Sequence, residues 1–384
     1  MTAGTSEKAR STEEGDVLRR VQRTGEASLT VSLPKRWAES VGVHHGDTLR
    51  FHDLGNGRVE LSVESAVSRP SRPAERALTV AAGKAAPHLI PRLVVGAYVT
   101  GHDQVTLTGS LTQPQRNEIH QTVGKLLGAS IVEDGKDRVV IRNFVDPTRY
   151  SMPRLLEHLV RLLHQQVEEC RIGAIGQETV DRAQLVSLED EMDRVYHLMV
   201  RQLMLACGHF GVAREIGAPH HHSHMGFRMI AKLLEDLGDR LFALGENIYP
   251  AEGGRWDVPE DVGLEVATRL ERFGTLLGRT MTAFDRGSAE EANLVLNDVH
   301  ADVPVLQTLA RDLPSRVPSQ SDSLAVERVL EDLLHITQML HVVNELTINR
   351  VVDLEDAPRC GDRISRDVPE ALTEKPGARV PVPD

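Results

Sequence analysis

Apolar and polar residues alternate over the first part of the chain, which is the pattern of strands with one buried face. Between residues 18 and 63 the alternation predicts two strands, a short helix beginning after Pro34, and a hairpin with its turn at Gly55-Asn56-Gly57. The pattern of apolar and polar positions in residues 75–147 predicts a strand, a helix, a second strand, a second helix and a closing hairpin. We interpret this second part as a small ferredoxin-like α/β domain, separated from the first by the linker SRPSRPAER.

A repeat of about 3.6 residues replaces the alternation from residue 152 onward and predicts a helical region. The six predicted helices cover residues 153–172, 179–209, 219–248, 260–284, 289–313 and 324–351. Breaks rich in Gly and Pro divide them into two groups of three, so we predict two tandem three-helix bundles at residues 151–252 and 256–352. The predicted fold class is multidomain α+β, with disordered tails at residues 1–16 and 353–384.

Composition narrows the classes of function. Only 3% of the 384 residues are aromatic, so the cores are aliphatic and base-stacking platforms are not expected. The net charge of -12 argues against a surface that binds nucleic acid throughout. The three cysteines, Cys170, Cys207 and Cys360, have no CxxC spacing, which is typical of a reducing compartment. With no apolar leader or spanning segment, we expect a cytoplasmic protein.

Carboxylates spaced four residues apart recur in the predicted helices. The candidates are Glu189, Asp193, Glu235 and Asp239 in the first bundle, and Asp298, Asp302, Glu331 and His335 in the second. Side chains at this spacing share one helix face, where their repulsion requires a counter-charge. We interpret both groups as ligands of multinuclear metal sites. The alternative is that they form ordinary solvated acidic faces.

The sequence LEDLGD at residues 234–239 resembles the LERIGD and LERVGD motifs of the PhoU family. Residues 17–352 resemble archaeal-type phosphate uptake regulators, in which an AbrB/SpoVT-like swapped-hairpin module precedes an α/β segment and PhoU repeats. The resemblance implies negative regulation of phosphate uptake, iron or zinc clusters on the acidic faces, and contact with the ATPase of the phosphate transporter. Leu334-His335 replaces the family's Gly-Asp, so the second site either contains an imidazole ligand or is inactive.

The resemblance also implies that residues 17–66 form an obligate homodimer that contacts DNA. Five basic residues lie in this segment: Arg19, Arg20, Arg23, Lys35 and Arg36. They form a local positive group in an acidic protein, which favours contacts to DNA phosphates. Glu26, Ala38 and Glu39 replace residues that are often basic in the family. A module that dimerises without binding DNA therefore remains the alternative.

Two functions stay open from the sequence. The first is a dimeric regulator that couples metal-bearing bundles to DNA or to the transporter, and the second is an adaptor or metal-storage protein acting by protein contact. The absence of GxxxxGK[ST], GxGxxG, GxSxG and HExxH motifs predicts that the chain is not an enzyme. The histidine run at His220, His221, His222 and His224 is predicted to be a solvated loop that binds metal only adventitiously.

Overall fold

The computed structural model describes eight segments of the chain. They are residues 17–25, 28–55, 57–63, 75–83, 85–176, 182–219, 221–249 and 255–356. The predicted tail at residues 1–16 lies outside them, as does most of the one predicted from residue 353. The chain divides into two compact units, the first comprising residues up to Leu159 together with Asp190–Ala231, and the second Val160–Glu189 together with residues from Lys232 onward.

The amino-terminal part of the first unit contains two strand pairs and a short helix. Strand β1 (Gln22–Thr24) pairs antiparallel with β2 (Ser28–Thr30), α1 spans Lys35–Val41, and β3 (Leu49–Gly55) pairs antiparallel with β4 (Arg58–Val63). Pro34 caps the start of α1, as its fixed φ favours. The predicted order of two strands, a helix and a hairpin is confirmed.

The α/β domain follows, with elements where the alternation placed them. They are β5 (Ala77–Ala81), α2 (Leu89–Val99), β6 (Gln104–Thr108), α3 (Gln113–Gly124), β7 (Ala129–Asp134) and β8 (Arg138–Asn143). The sheet order is β5-β6-β8-β7, and β5 and β6 are parallel neighbours. The ferredoxin-like prediction is wrong, because that fold places another strand between the two strands joined by the first helix. Here a direct crossover through α2 leaves no gap for a third strand.

Arg201 anchors the helical part of the first unit to this domain. Its side chain is 1% exposed and donates to the carbonyl oxygens of Tyr98 and His102 at 2.7 and 2.8 Å, and to Asp103 Oδ1 at 2.9 Å. The guanidinium also lies 5.2 Å from the ring centroid of Tyr98. Removing one member of such a buried pair costs about 3–5 kcal/mol, because the other charge stays desolvated.

Seven α-helices follow the sheet in the described part of the chain. They are α4 (Met152–Ile175), α5 (Arg182–Gly208), α6 (Phe210–Glu215), α7 (His221–Ile248), α8 (Glu260–Arg286), α9 (Ala289–Asp312) and α10 (Gln320–Asp356). Helix α6 was not predicted, since it lies in a glycine-rich break between two predicted helices. It forms because Val212 and Ile216 are buried, and the apolar face that they give outweighs the low helix propensity of its glycine. Helix α10 also continues into the predicted tail as far as Asp356.

In the second unit α8, α9 and α10 contact one another around a core of aliphatic residues and Phe273. Gly263 on α8 must remain small, because an added Cβ would lie 2.4 Å from the carbonyl oxygen of Ala174. Asn344 on α10 donates to Thr280 Oγ1 across the helix contact at 2.9 Å. The contact of α8 with α10 lies within the second predicted bundle, whereas the approach of Gly263 to Ala174 joins α8 to α4, a helix predicted in the first bundle.

One member of the histidine run is not in a solvated loop. His224 is 5% exposed and lies in the first turn of α7. The solvated-loop prediction is wrong for this residue, since α7 begins at His221, one turn before it. His220 and the side chains of His221 and His222 lie outside what the structure describes.

Candidate functional site

The acidic face of α7 in the second unit gathers three carboxylates. Ligand atoms of Glu235, Asp236 and Asp239 lie within 4.8 Å of one another. Glu189, at the end of the α5 segment in the same unit, also places a carboxylate oxygen within 4.8 Å of Asp239. Glu189 and Glu235, two of the residues predicted for the first metal site, therefore each lie near a third, Asp239, and Asp236 joins Glu235 and Asp239.

Lys232 supplies a positive charge at this cluster. Its Nζ lies 2.7 Å from Asp236 Oδ1 and forms an ion pair with Glu235, one helical turn away. Burial lowers the pKa of Lys232, but its hydrogen bonds and ion pairs with the two carboxylates outweigh burial and raise the pKa above its usual value. The counter-charge that the spacing required is thus present as a side chain.

Glu235 is the least exposed carboxylate of the group, with 12% of its side chain accessible. Burial raises the pKa of Glu235 to about 7, the hydrogen bond from Lys232 opposes this, and the charge of Asp239 adds to it. A carboxyl group that is half protonated near neutral pH binds either a proton or a cation. The cluster therefore has the oxygen donors of a metal site, and cation binding there would release a proton.

Asp193, the fourth residue predicted for the first site, lies in the first unit. Lys125 Nζ is 3.1 Å from Asp193 Oδ2 and 3.0 Å from Asp190 Oδ1. This lysine follows α3 of the α/β domain. A salt bridge to the sheet domain is thus one role of Asp193 that the sequence did not indicate.

The acids predicted for the second site pair with arginines of α8. Arg272 Nε lies 2.7 Å from Asp302 Oδ2, and its Nη2 lies 3.4 Å from Asp298 Oδ1. Arg279 forms a second ion pair with Asp298, and its hydrogen bond is the main cause that holds the pKa of Asp298 below its usual value. These two carboxylates are therefore already neutralised by protein side chains.

Glu331 and His335 are exposed on α10, one turn apart. The neighbouring Asp332 is the more enclosed acid, with 16% of its side chain accessible, and it lies 3.1 Å from Arg240 Nη1. Among the described residues, the groups of three or more candidate ligands include none of the four residues predicted for the second site.

The amino-terminal part exposes both its basic and its apolar side chains. Arg19, Arg20, Arg23, Lys35 and Arg36 are all exposed. The exposed apolar residues are Val17, Leu18, Val21, Leu29, Val31, Val41, Phe51 and Val59. Val63 is the one residue classed as buried among the described side chains of residues 17–63. The described side chains of this segment therefore form no core within one chain.

Comparison with known families gives one match, and it falls on this segment. Residues 22–74 match the family described as antidote-toxin recognition MazE, bacterial antitoxin. No curated protein matches the chain. The match agrees with the amino-terminal module predicted from the strand pattern and covers a small part of the chain. None of the described helices is long and apolar enough to cross a membrane.

Sequence reasoning missed the cations of the acidic faces. Lys232 stands three residues before Glu235 and four before Asp236, a spacing that places them together on one helix. That pairing was available from the sequence. Arg272 and Arg279 lie on a different helix from Asp298 and Asp302, so their pairing depends on tertiary packing and had no local signal.

The raised pKa of Glu235 predicts a pH-dependent cost to folding. The folded group binds its proton up to about pH 7, whereas 4.5 is its ordinary pKa. Ionising Glu235 in the folded protein therefore costs no stability below pH 4.5, and the loss of stability grows as the pH rises from 4.5 to about 7. In chelator-treated protein, Glu235→Gln should raise the free energy of unfolding by about 1–2 kcal/mol more at pH 8 than at pH 5, measured by urea unfolding.

Asp298→Asn is the matched control for this measurement. The pKa of Asp298 is held below its usual value of 3.8, so the stability it contributes is complete at both pH values and lost only as the pH falls below that value. This variant should lose the same stability at pH 5 and pH 8. An equal effect of Glu235→Gln at the two pH values would contradict a raised pKa.

Proposed function

We propose that the chain is a dimeric DNA-binding regulator whose amino-terminal module reads DNA and whose helical region carries a metal-responsive acidic cluster. The observation that carries this proposal is the family match at residues 22–74, on a segment whose basic side chains are exposed. The metal, and the control of phosphate uptake, are the finer parts of the proposal and rest on the resemblance to PhoU proteins.

The exposed apolar residues support dimerisation through residues 17–66. Leu18, Leu29 and Phe51 are 84%, 73% and 68% exposed in the single chain. Two-stranded hairpins are at best marginally stable alone in water, and covering one large apolar side chain contributes about 1.5–3 kcal/mol. A second copy of the same module, with hairpins exchanged or interleaved, would cover these residues by the two-fold symmetry usual in homodimers.

The basic residues support contacts to the DNA backbone. Lys35 and Arg36 open α1, while Arg19, Arg20 and Arg23 lie in and before β1. Side chains that reach phosphates give affinity that depends on salt and little on base sequence. In a two-fold dimer the five positions are doubled, which gives a positive surface within an acidic protein.

An adaptor that dimerises and acts by protein contact is the second candidate. The net charge of -12 favours it, since most of the chain would repel DNA. Toxin recognition, which the family description also names, has no further support in the described part of the chain. DNA binding is preferred because three of the exposed basic residues, Arg23, Lys35 and Arg36, lie within the matched segment, and Arg19 and Arg20 lie directly before it.

Dimerisation is tested by placing charge on the uncovered apolar residues. Leu29→Asp with Phe51→Asp should halve the mass measured by light scattering, because burying two carboxylates per chain would cost more than the contact supplies. The matched control is Leu264→Asp with Leu294→Asp, at helix positions that are 58% and 51% exposed. If only the control variant has a halved mass, the dimer interface lies in the helical region and not in the amino-terminal module.

DNA binding is tested by its dependence on salt. Affinity for the DNA upstream of the chain's own gene, measured by fluorescence anisotropy, should fall steeply with salt in the wild type. Arg19→Ala with Arg20→Ala should weaken binding and lower the slope of log affinity against log salt by about four in the dimer, about one per lost contact.

Arg311→Ala with Arg328→Ala provides the matched control, since both side chains are exposed on α9 and α10. This variant should bind as the wild type does. If the wild type shows no salt-sensitive binding, or if both double variants weaken it equally, the adaptor proposal is favoured.

The metal proposal is tested by elemental analysis of protein purified without chelator. Iron or zinc should be present, and Glu235→Gln with Asp239→Asn should remove most of it, because amides lack the charge that holds the ion. The comparison variant is Asp298→Asn with Asp302→Asn, whose carboxylates already pair with arginines. Loss of metal in Asp298→Asn with Asp302→Asn would show that the second predicted site binds metal. A wild type purified without metal would contradict the metal proposal.

A further inference from the structure

A cysteine and a histidine form a pair in the first unit, on the same two helices, α5 and α7, that carry the acids predicted for the first metal site. Cys207 lies one residue before the end of α5 and is exposed. Its Sγ is 3.7 Å from Nδ1 of His224, a residue that is 5% exposed. An accessible sulfur therefore faces an imidazole that the protein encloses.

A hydrogen bond on the far side of the ring fixes which nitrogen carries the proton. His224 Nε2 lies 2.7 Å from the carbonyl oxygen of Ala218. A carbonyl oxygen only accepts hydrogen bonds, so Nε2 is the donor and Nδ1 of the neutral ring carries a lone pair. Nδ1 is the ring atom that lies near Cys207, and it accepts a hydrogen bond from the thiol.

The chain contains its own contrast to this arrangement. Cys170 is fully buried in the second unit, and its thiol donates a hydrogen bond to the carbonyl oxygen of Leu241 at 3.6 Å, an acceptor that is too weak a base to remove the proton. Burial raises the pKa of Cys170 to about 12. An enclosed thiol of this kind stays protonated and unreactive, whereas an accessible thiol next to an imidazole has the environment of a reactive one.

We propose that Cys207 and His224 form a reactive thiol site at which hydrogen peroxide oxidises Cys207. His224 Nδ1 accepts the thiol proton as the sulfur attacks one peroxide oxygen. The S–O bond forms and the O–O bond breaks, so that sulfur loses two electrons and the peroxide gains them. The departing hydroxide takes the proton from Nδ1 and leaves as water, and the residue becomes a sulfenic acid.

The test uses the full chain with Cys360→Ser, hydrogen peroxide at pH 7, dimedone to trap the sulfenic acid, and mass spectrometry of the peptides. Cys207 should be labelled about tenfold faster in the folded chain than in the same chain unfolded in urea, because only the folded chain holds His224 Nδ1 beside the sulfur, where it accepts the proton during the attack. Cys170 should remain unlabelled in the folded protein.

His224→Gln separates proton transfer from packing. Glutamine can still donate to the Ala218 carbonyl but is not a base, so the rate should fall to that of the unfolded chain while Cys170 stays protected. His209→Gln, a change at an exposed histidine two residues after Cys207, should keep the wild-type rate.

Two results would overturn the proposal: a folded wild type that reacts no faster than the unfolded chain, or an unchanged rate in His224→Gln. If Cys170 becomes labelled in His224→Gln, that variant has unfolded and its rate is not used. The proposal is then judged by whether Cys207 of the folded wild type is labelled faster than Cys207 of the unfolded wild type.

Discussion

Paired carboxylates on long helices impose the main electrostatic constraint on this protein. Acids four residues apart share a helix face and repel each other, so a helix that presents them toward its neighbours needs a cation beside them. At three of these pairs the structure supplies a cation: Lys125 beside Asp193, Lys232 beside Glu235, and Arg272 and Arg279 beside Asp302 and Asp298. Helix packing and charge neutralisation are therefore parts of the same arrangement.

The amino-terminal module is subject to a different constraint, which is that its described side chains form no core within one chain. The α/β domain buries Leu107, Ile119 and Ile141 between its sheet and helices, whereas eight apolar side chains described between residues 17 and 59 are exposed. The hydrophobic effect opposes such exposure in proportion to its area. A partner surface resolves it, and a second copy of the module offers one of matching size and chemistry.

Much of the fold was predictable because periodicity reports which face of an element is buried. The strands and helices of residues 18–143 and most of the later helices begin and end near their predicted positions. The strand order was not predictable, since alternation shows that a strand has a buried face but not which strand lies beside it. Helix α6 was missed because Gly208, Gly211 and Gly217 suggested a loop, while burial of Val212 and Ile216 favoured a helix.

The candidate site was predictable only to the extent that its contacts are local. The spacing of Glu235 and Asp239 indicated a shared face, and Lys232 one turn away could have been included on the same argument. The approach of Glu189 to Asp239, the arginines of α8 and the burial of His224 against Cys207 depend on how distant segments pack. A sequence pattern alone contains no signal for these contacts.

The kind of cation at each acidic pair distinguishes the two halves of the helical region. Lysines pair with the carboxylates predicted for the first site, and arginines with the two aspartates predicted for the second. An ammonium group is a compact charge on a flexible stem, whereas a guanidinium is a rigid fork that holds carboxylates in fixed geometry and does not lose its proton. An incoming metal ion would displace the lysine more readily than the arginine fork. Glu235, whose pKa burial raises to about 7, lies on the lysine-paired face, so under the proposed function that is the face on which a cation would replace both a proton and an ammonium group.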